Sequence, residues 1–127
     1  TSIAVDQIKK DFGVQSVYLY GYSGGGTLAA LVAAERTDVR FLTTVASPLD
    51  IADWSRHHGM SRLKYSRNPV DVFDKWAQLP QHHYAGGKDE VVPPSLYRRA
   101  LKAGMELSIL PSYDHECCWQ ELSIQKK

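Results

Sequence analysis

Apolar and polar positions along the chain fall into blocks whose period shifts between helical and extended. Residues 2–11, with Phe12 just beyond, set Ile3, Ile8 and Phe12 among Asp6, Lys9, Lys10 and Asp11. That spacing predicts a short amphipathic helix, closed by Gly13. Val14 to Tyr20 is a near-continuous apolar run, the mark of a strand buried on both faces of a parallel sheet. After a glycine cluster, Thr27 to Ala34 is small and apolar around most of its circumference, which predicts a buried helix reaching about Arg36. Phe41 to Ala46 reads as a second strand, stopped by Ser47-Pro48.

Residues 50–80 lose any clean period. Trp54, His57, His58, Met60, Leu63, Tyr65 and Trp76 are scattered among polar residues, an excursion of short helices and loops, most helical from Val70 to Leu79. His82 to Gly86 reads as a third strand and Gly87 to Glu90 as a turn. Pro93-Pro94 opens a helix over Ser95–Ala103, Met105 to Leu110 is a fourth strand, and a last helix starts at His115 and runs to about Ile124. Strands alternating with helices define the α/β class: a parallel sheet of about four strands with flanking helices.

Composition narrows the function classes more than the fold. With 127 residues, one domain is expected. Basic residues number 15 and acidic residues 14, so charge offers no reason to expect nucleic acid or an anionic membrane as partner. No apolar stretch reaches the roughly 18 residues of a membrane-spanning helix. The start, Thr1-Ser2-Ile3-Ala4, lacks an initiator Met and a signal-peptide pattern, as a mature form or a fragment would. The two cysteines, Cys117 and Cys118, are adjacent; they give neither a disulfide framework nor a metal spacing, and are expected as two thiols on the last helix. They fit any compartment. No metal or cofactor is implied.

Candidate chemistry begins at Gly21-Tyr22-Ser23-Gly24-Gly25, which fits G-x-S-x-G between a strand and a helix. Such a turn forces an unfavourable backbone on the serine, and small residues two before and two after it let strand and helix pass closely. Gly26 adds another. Two rival readings stand beside it. One is a plain glycine turn. The other is a nucleotide-binding module, because Gly24-Gly25-Gly26-Thr27-Leu28-Ala29 formally fits G-x-G-x-x-A at a helix N-terminus. Downstream, Asp89 follows the third strand and His115 the fourth. Asp50, after the second strand, rivals Asp89 as an acid. His57, His58, His82 and His83 compete with His115, although His82 and His83, neighbours on a strand, cannot both face one cleft. Asp114 is expected to cap the last helix.

The order strand–Gly-Tyr-Ser-Gly-Gly–helix, strand–Gly-Gly-Lys-Asp-Glu-Val-Val-Pro, strand–loop–Asp-His resembles the C-terminal half of an α/β-hydrolase over almost the whole chain. The resemblance implies a serine hydrolase acting on a small-molecule ester, with esterase, lipase, thioesterase or peptidase activity. Ser23 would be the nucleophile, His115 the base and Asp89 its orienting acid, with the Gly24 N–H as one oxyanion donor. It also implies that residues 50–80 form a lid-like insertion, with Tyr22 and Trp54 as candidates for the substrate wall beside Met60 and Tyr65. In the family a longer sheet precedes this half and carries the second oxyanion donor. Val17 to Tyr20 would then be an unguarded apolar edge, calling for a missing N-terminal half or a second copy to pair with it. A non-catalytic, hydrolase-like interaction piece is the remaining alternative.

Overall fold

The computed structural model describes residues 2–60, 67–102 and 105–121. Its elements in chain order are α1 (Ser2–Phe12), β1 (Val17–Tyr22), α2 (Gly24–Glu35), β2 (Val39–Val45), α3 (Ile51–His57), a 3₁₀ segment (Pro69–Lys75), β3 (Gln81–Gly86), α4 (Pro94–Ala100), β4 (Glu106–Leu110) and a 3₁₀ turn (Trp119–Glu121). The four strands form one parallel sheet in the order β1-β2-β3-β4, so β1 and β4 are its edges. The class, the strand number and the parallel pairing are those expected.

The core lies between the sheet and α2. Ala29, Ala30 and Ala33 of α2 are buried against Val39 and Leu42 of β2, Ala85 of β3 and Tyr97 of α4. Small side chains on α2 let it approach the strands closely, as its alanine-rich sequence anticipates. Leu28, on the same helix, is exposed, so its burial is not all-round. The 3₁₀ segment also belongs to this core. Trp76 just after it is fully buried, its indole N–H donating to the Pro69 carbonyl at 2.8 Å. That part of the excursion is therefore packing rather than an open flap.

Several local expectations are corrected. Val14 lies outside β1 because its N–H closes α1, donating to the Lys9 carbonyl at 3.2 Å with Gly13 at φ 65° between them. β1 is not buried on both faces: Tyr18, Tyr20 and Tyr22 are exposed, since α2 covers only one side of this edge strand. The apolar residues of α1 are not buried either; Ile3 is 83% and Phe12 76% exposed. Ion pairs hold α1 instead, Lys9 with Asp38 and Arg36 with Asp6. Arg36, then Lys9, keep the Asp38 carboxyl well below the usual carboxylate range.

α4 ends at Ala100, where Leu101 turns extended and packs on the core; Ala103 and Gly104 lie outside the described residues. No helix starts at His115. The Trp119 indole N–H bonds the Asp114 carbonyl at 2.9 Å and its ring packs on Tyr113, drawing residues 114–119 into a tight turn. Asp114 caps this turn, accepting from the N–H groups of Glu116 and Cys117. Cys117 and Cys118 lie within it, joined to each other by a disulfide rather than standing as thiols on a helix. Residues 122–127, and Tyr65 of the expected substrate wall, lie outside the described residues.

Candidate active site

Ser23 sits at the junction of β1 and α2 with φ 54° and ψ −126°, a region that non-glycine residues rarely occupy and that costs about 1–3 kcal/mol. Its N–H donates to the Val45 carbonyl at 2.8 Å, and its own carbonyl accepts from Gly26 at 3.0 Å. The strain is sustained by close passage of strand and helix: a Cβ on Gly21 would strike the Gly25 carbonyl, and one on Gly26 the Ser47 side chain. Gly25 itself faces open space, so the small residues required are Gly21 and Gly26, not the symmetric pair expected.

β3 ends in the loop that carries Asp89. Gly87 N–H donates to the Leu110 carbonyl at 2.8 Å and Lys88 N–H to the Tyr113 carbonyl at 2.9 Å, which ties this loop to the one after β4. His115 projects from that second loop. The Ser23 Oγ lies 2.9 Å from His115 Nε2, and His115 Nδ1 lies 2.9 Å from Asp89 Oδ2. The Asp89 side chain is fully buried, and its other oxygen, Oδ1, accepts from the N–H groups of Val91 and Val92, each at 2.8 Å. A carboxylate only accepts, so Nδ1 carries the imidazole proton, and Nε2 is left to accept from the serine hydroxyl.

Of the remaining candidates, Tyr22 and Gly24 adjoin this line, while Asp50, His57, His58, His82 and His83 are held elsewhere. Asp50 Oδ1 caps α3, accepting from Asp53 N–H at 3.2 Å and from Asn68 Nδ2 at 2.9 Å. His83 is buried beneath the sheet face, bonded to Thr44 and Gln81, and His82 bonds Ser108. His57 is exposed on α3. His58 and Trp54 both donate to the Val91 carbonyl, at 2.6 and 2.9 Å. Tyr22 donates its hydroxyl to the His115 carbonyl at 2.5 Å, its ring tilted against the imidazole. Burial, with Glu116, Asp89 and Asp114 nearby, raises the Tyr22 pKa and keeps it a donor. Met60 is exposed at the end of the first described stretch of the excursion. Gly24 is the first residue of α2, where a backbone N–H has no intrahelical acceptor.

Sequence reasoning did not foresee the two N–H groups that hold Asp89 Oδ1, because any residue type supplies a backbone donor. Grooves of about 290 Å³, touched by His115, Lys88 and Glu90, and about 340 Å³, touched by Tyr20, Tyr22 and Trp119, flank the site. Among the described residues no cluster of three or more metal-ligating side chains occurs, and no helix is long and apolar enough to cross a membrane.

The chain has an α/β-hydrolase-like fold. It is similar to an α/β-hydrolase enzyme from the metagenome of lagoon sediments at Mar Chica, Morocco (TM-score 0.69, 19% identity, covering 94% of this chain and 62% of that one). It is also similar to the esterase domain of a Rhodothermus marinus protein (0.59, 23%, 77% and 50%) and to an α/β serine hydrolase homologue from Coxiella burnetii (0.62, 19%, 89% and 47%). The chain thus spans about half the length of the latter two structures, 50% and 47%. No protein-family profile and no curated protein matches it.

Proposed function

We propose that these residues carry the reaction centre of a serine hydrolase that cleaves carboxylic esters through an acyl-enzyme. The observation that carries this reading is the unbroken contact line Ser23–His115–Asp89, with 2.9 Å at each step. In the proposed mechanism His115 Nε2 takes the Ser23 proton as Oγ attacks the ester carbonyl carbon. The tetrahedral oxyanion forms beside the Gly24 N–H at the start of α2. Collapse expels the alcohol, which receives the proton from His115, and water then repeats the sequence to release the acid. Asp89 holds the tautomer and stabilises the imidazolium. A fluorophosphonate probe applied to the full-length protein labels wild type and leaves Ser23→Ala unlabelled; equal labelling of both refutes Ser23 as the nucleophile.

We further propose that β1 takes a partner along its free edge, either a further part of a longer polypeptide or a second copy. The exposed Tyr18 and Tyr20, and the uncovered Ile3 and Phe12 of α1, support this, as does the half-length span against similar structures. Sedimentation of the isolated 127 residues is expected to show association. A folded, dispersed monomer would count against a required partner.

A further inference from the structure

We infer that Trp54 and His58 are positioning residues for Asp89, acting through the single peptide unit that joins Val91 to Val92. The inference rests on the serine-hydrolase reading of the site. The carbonyl of that peptide accepts from Trp54 Nε1 at 2.9 Å and from His58 Nε2 at 2.6 Å. The N–H of the same peptide, on Val92, donates to Asp89 Oδ1 at 2.8 Å. Two side chains of the excursion therefore grip one end of a rigid plane, and the triad acid sits on the other.

Two physical effects follow. The first is geometric: with its oxygen held from α3, the peptide plane cannot rotate, and its N–H stays aimed at Oδ1. The second is electronic. Donors on a carbonyl polarise the amide, so its N–H becomes a better donor, by about 10–30% for bonds in series. Because a carbonyl oxygen only accepts, His58 carries its proton on Nε2, and both bonds are donations to Val91.

The gripping element is itself braced. Asp50 caps α3, and Asn68, just before the 3₁₀ segment, joins that cap. Asp53 pairs with Arg99 of α4 at 2.7 Å, which locks α3 to the helix that follows the acid loop. The Trp54 and His58 rings meet edge to face with centroids 5.1 Å apart, so each holds the other's orientation. Trp54, expected in a substrate wall, also places its polar edge on the acid loop. The excursion is thereby coupled to the triad: a contact line runs from α3 through Val91–Val92 and Asp89 to His115 and Ser23.

The test uses the full-length protein. The pair Trp54→Phe/His58→Leu removes both donors and keeps apolar bulk. It is expected to lower kcat by a factor of about 10 to 10², with KM nearly unchanged, because the acid moves rather than the substrate. In an Asp89→Asn background the same pair should change kcat less than about twofold, since the residue it acts through has been altered. His58→Gln, which keeps a side-chain donor, should retain most of the activity that His58→Leu loses. The downfield proton resonance of His115 Nδ1–H should shift in the pair and not in His58→Gln.

A raised KM at constant kcat would overturn the inference by placing the two residues on substrate. An equal loss in the Asp89→Asn background would overturn it too, as would an unmoved His115 resonance. That resonance is read without substrate and on the folded protein, and thermal unfolding of each variant identifies any that fails to fold; the single variants Trp54→Phe and His58→Leu then carry the measurement. Should fluorophosphonate fail to label Ser23, the hydrolase reading fails by itself, while the resonance still decides whether Trp54 and His58 hold Asp89.

Discussion

On the proposed function, replacing Asp89 by asparagine in the full-length protein is expected to lower kcat on an ester substrate by a factor on the order of 10⁴, with KM little changed. The outcome depends on which end of the amide goes where. Oδ1 of Asp89 accepts two backbone N–H bonds, from Val91 and Val92 at 2.8 Å each. An asparagine keeps those bonds only by placing its carbonyl oxygen there. Its NH₂ group then points at His115 Nδ1, in the position where Oδ2 now stands at 2.9 Å. Two donors cannot share one hydrogen bond, so the imidazole changes tautomer: Nδ1 accepts, Nε2 carries the proton, and the Ser23 hydroxyl has no base. The backbone cradle makes the amide's orientation a matter of two hydrogen bonds, each worth about 1 kcal/mol. The matched control is Asp50→Asn. Asparagine caps a helix as well as aspartate does, so that variant keeps both α3 and activity. Turnover within tenfold of wild type for Asp89→Asn, or a large loss for Asp50→Asn, would reverse the assignment of the acid. Thermal unfolding of both variants separates loss of chemistry from loss of fold.

The choice between those two aspartates shows what a linear reading can and cannot reach. Both follow a strand, and both are candidates by position. What separates them is the company each finds after folding. Asp50 meets Asn68 and the start of α3, while Asp89 meets its own loop's N–H groups and a histidine 26 residues on. The succession of strands and helices along the chain was legible because it rests on apolar runs and on Gly and Pro punctuation, which are local. The serine's place between strand and helix was legible for the same reason. The end of the chain was not. Residues after His115 carry helix-compatible types, but the Trp119 indole finds the Asp114 carbonyl and the ring finds Tyr113, and this tertiary packing overrides propensity. The exposed Tyr18 and Tyr20 went unforeseen for a related reason: an apolar run reports what a strand could bury, not whether anything covers it. Gly25 and Gly26 look equivalent in the sequence. Only the approach of Ser47 from β2's far end makes the second one indispensable.

Acidification is expected to destabilise the fold through His83, beginning near pH 6.5. The side chain is fully buried, and a complete hydrogen-bond relay surrounds it. Gln81 spends its Nε2 on the carbonyls of Trp76 and Leu79, which leaves Oε1 to accept from His83 Nε2 at 2.7 Å. Nδ1 must then accept from the Thr44 hydroxyl at 2.6 Å. Thr44 in turn accepts from the Tyr97 hydroxyl at 2.9 Å, and Tyr97 accepts the Ser47 N–H at 2.7 Å. Each donor meets one acceptor, and the arrangement has room only for a neutral imidazole. A second ring proton on Nδ1 would face the Thr44 hydrogen. Burial, with His82 adding a smaller repulsion, lowers the His83 pKa to about 3. The unfolded chain has the ordinary histidine value of about 6.5. The folded pKa is thus the lower one, so the stabilisation is fully present above pH 6.5 and drains away as pH falls toward 3, at roughly 1.4 kcal/mol per pH unit. By pH 4.5 the loss approaches roughly 3 kcal/mol, a large share of a typical domain's stability. Urea unfolding of wild type and His83→Gln at pH 7.5, 5.5 and 4.5 reads this directly: the variant starts less stable at neutral pH, and the gap between the two closes on acidification. A constant gap would mean that His83 titrates as freely in the folded state as in the unfolded one, and a widening gap that folding favours its protonated form; either result would overturn the prediction. The consequence reaches the candidate site, because the relay ends at Ser47, whose hydroxyl shares the Val45 carbonyl with the Ser23 N–H. Charge forced into this layer would loosen the strand end that holds the strained serine in place.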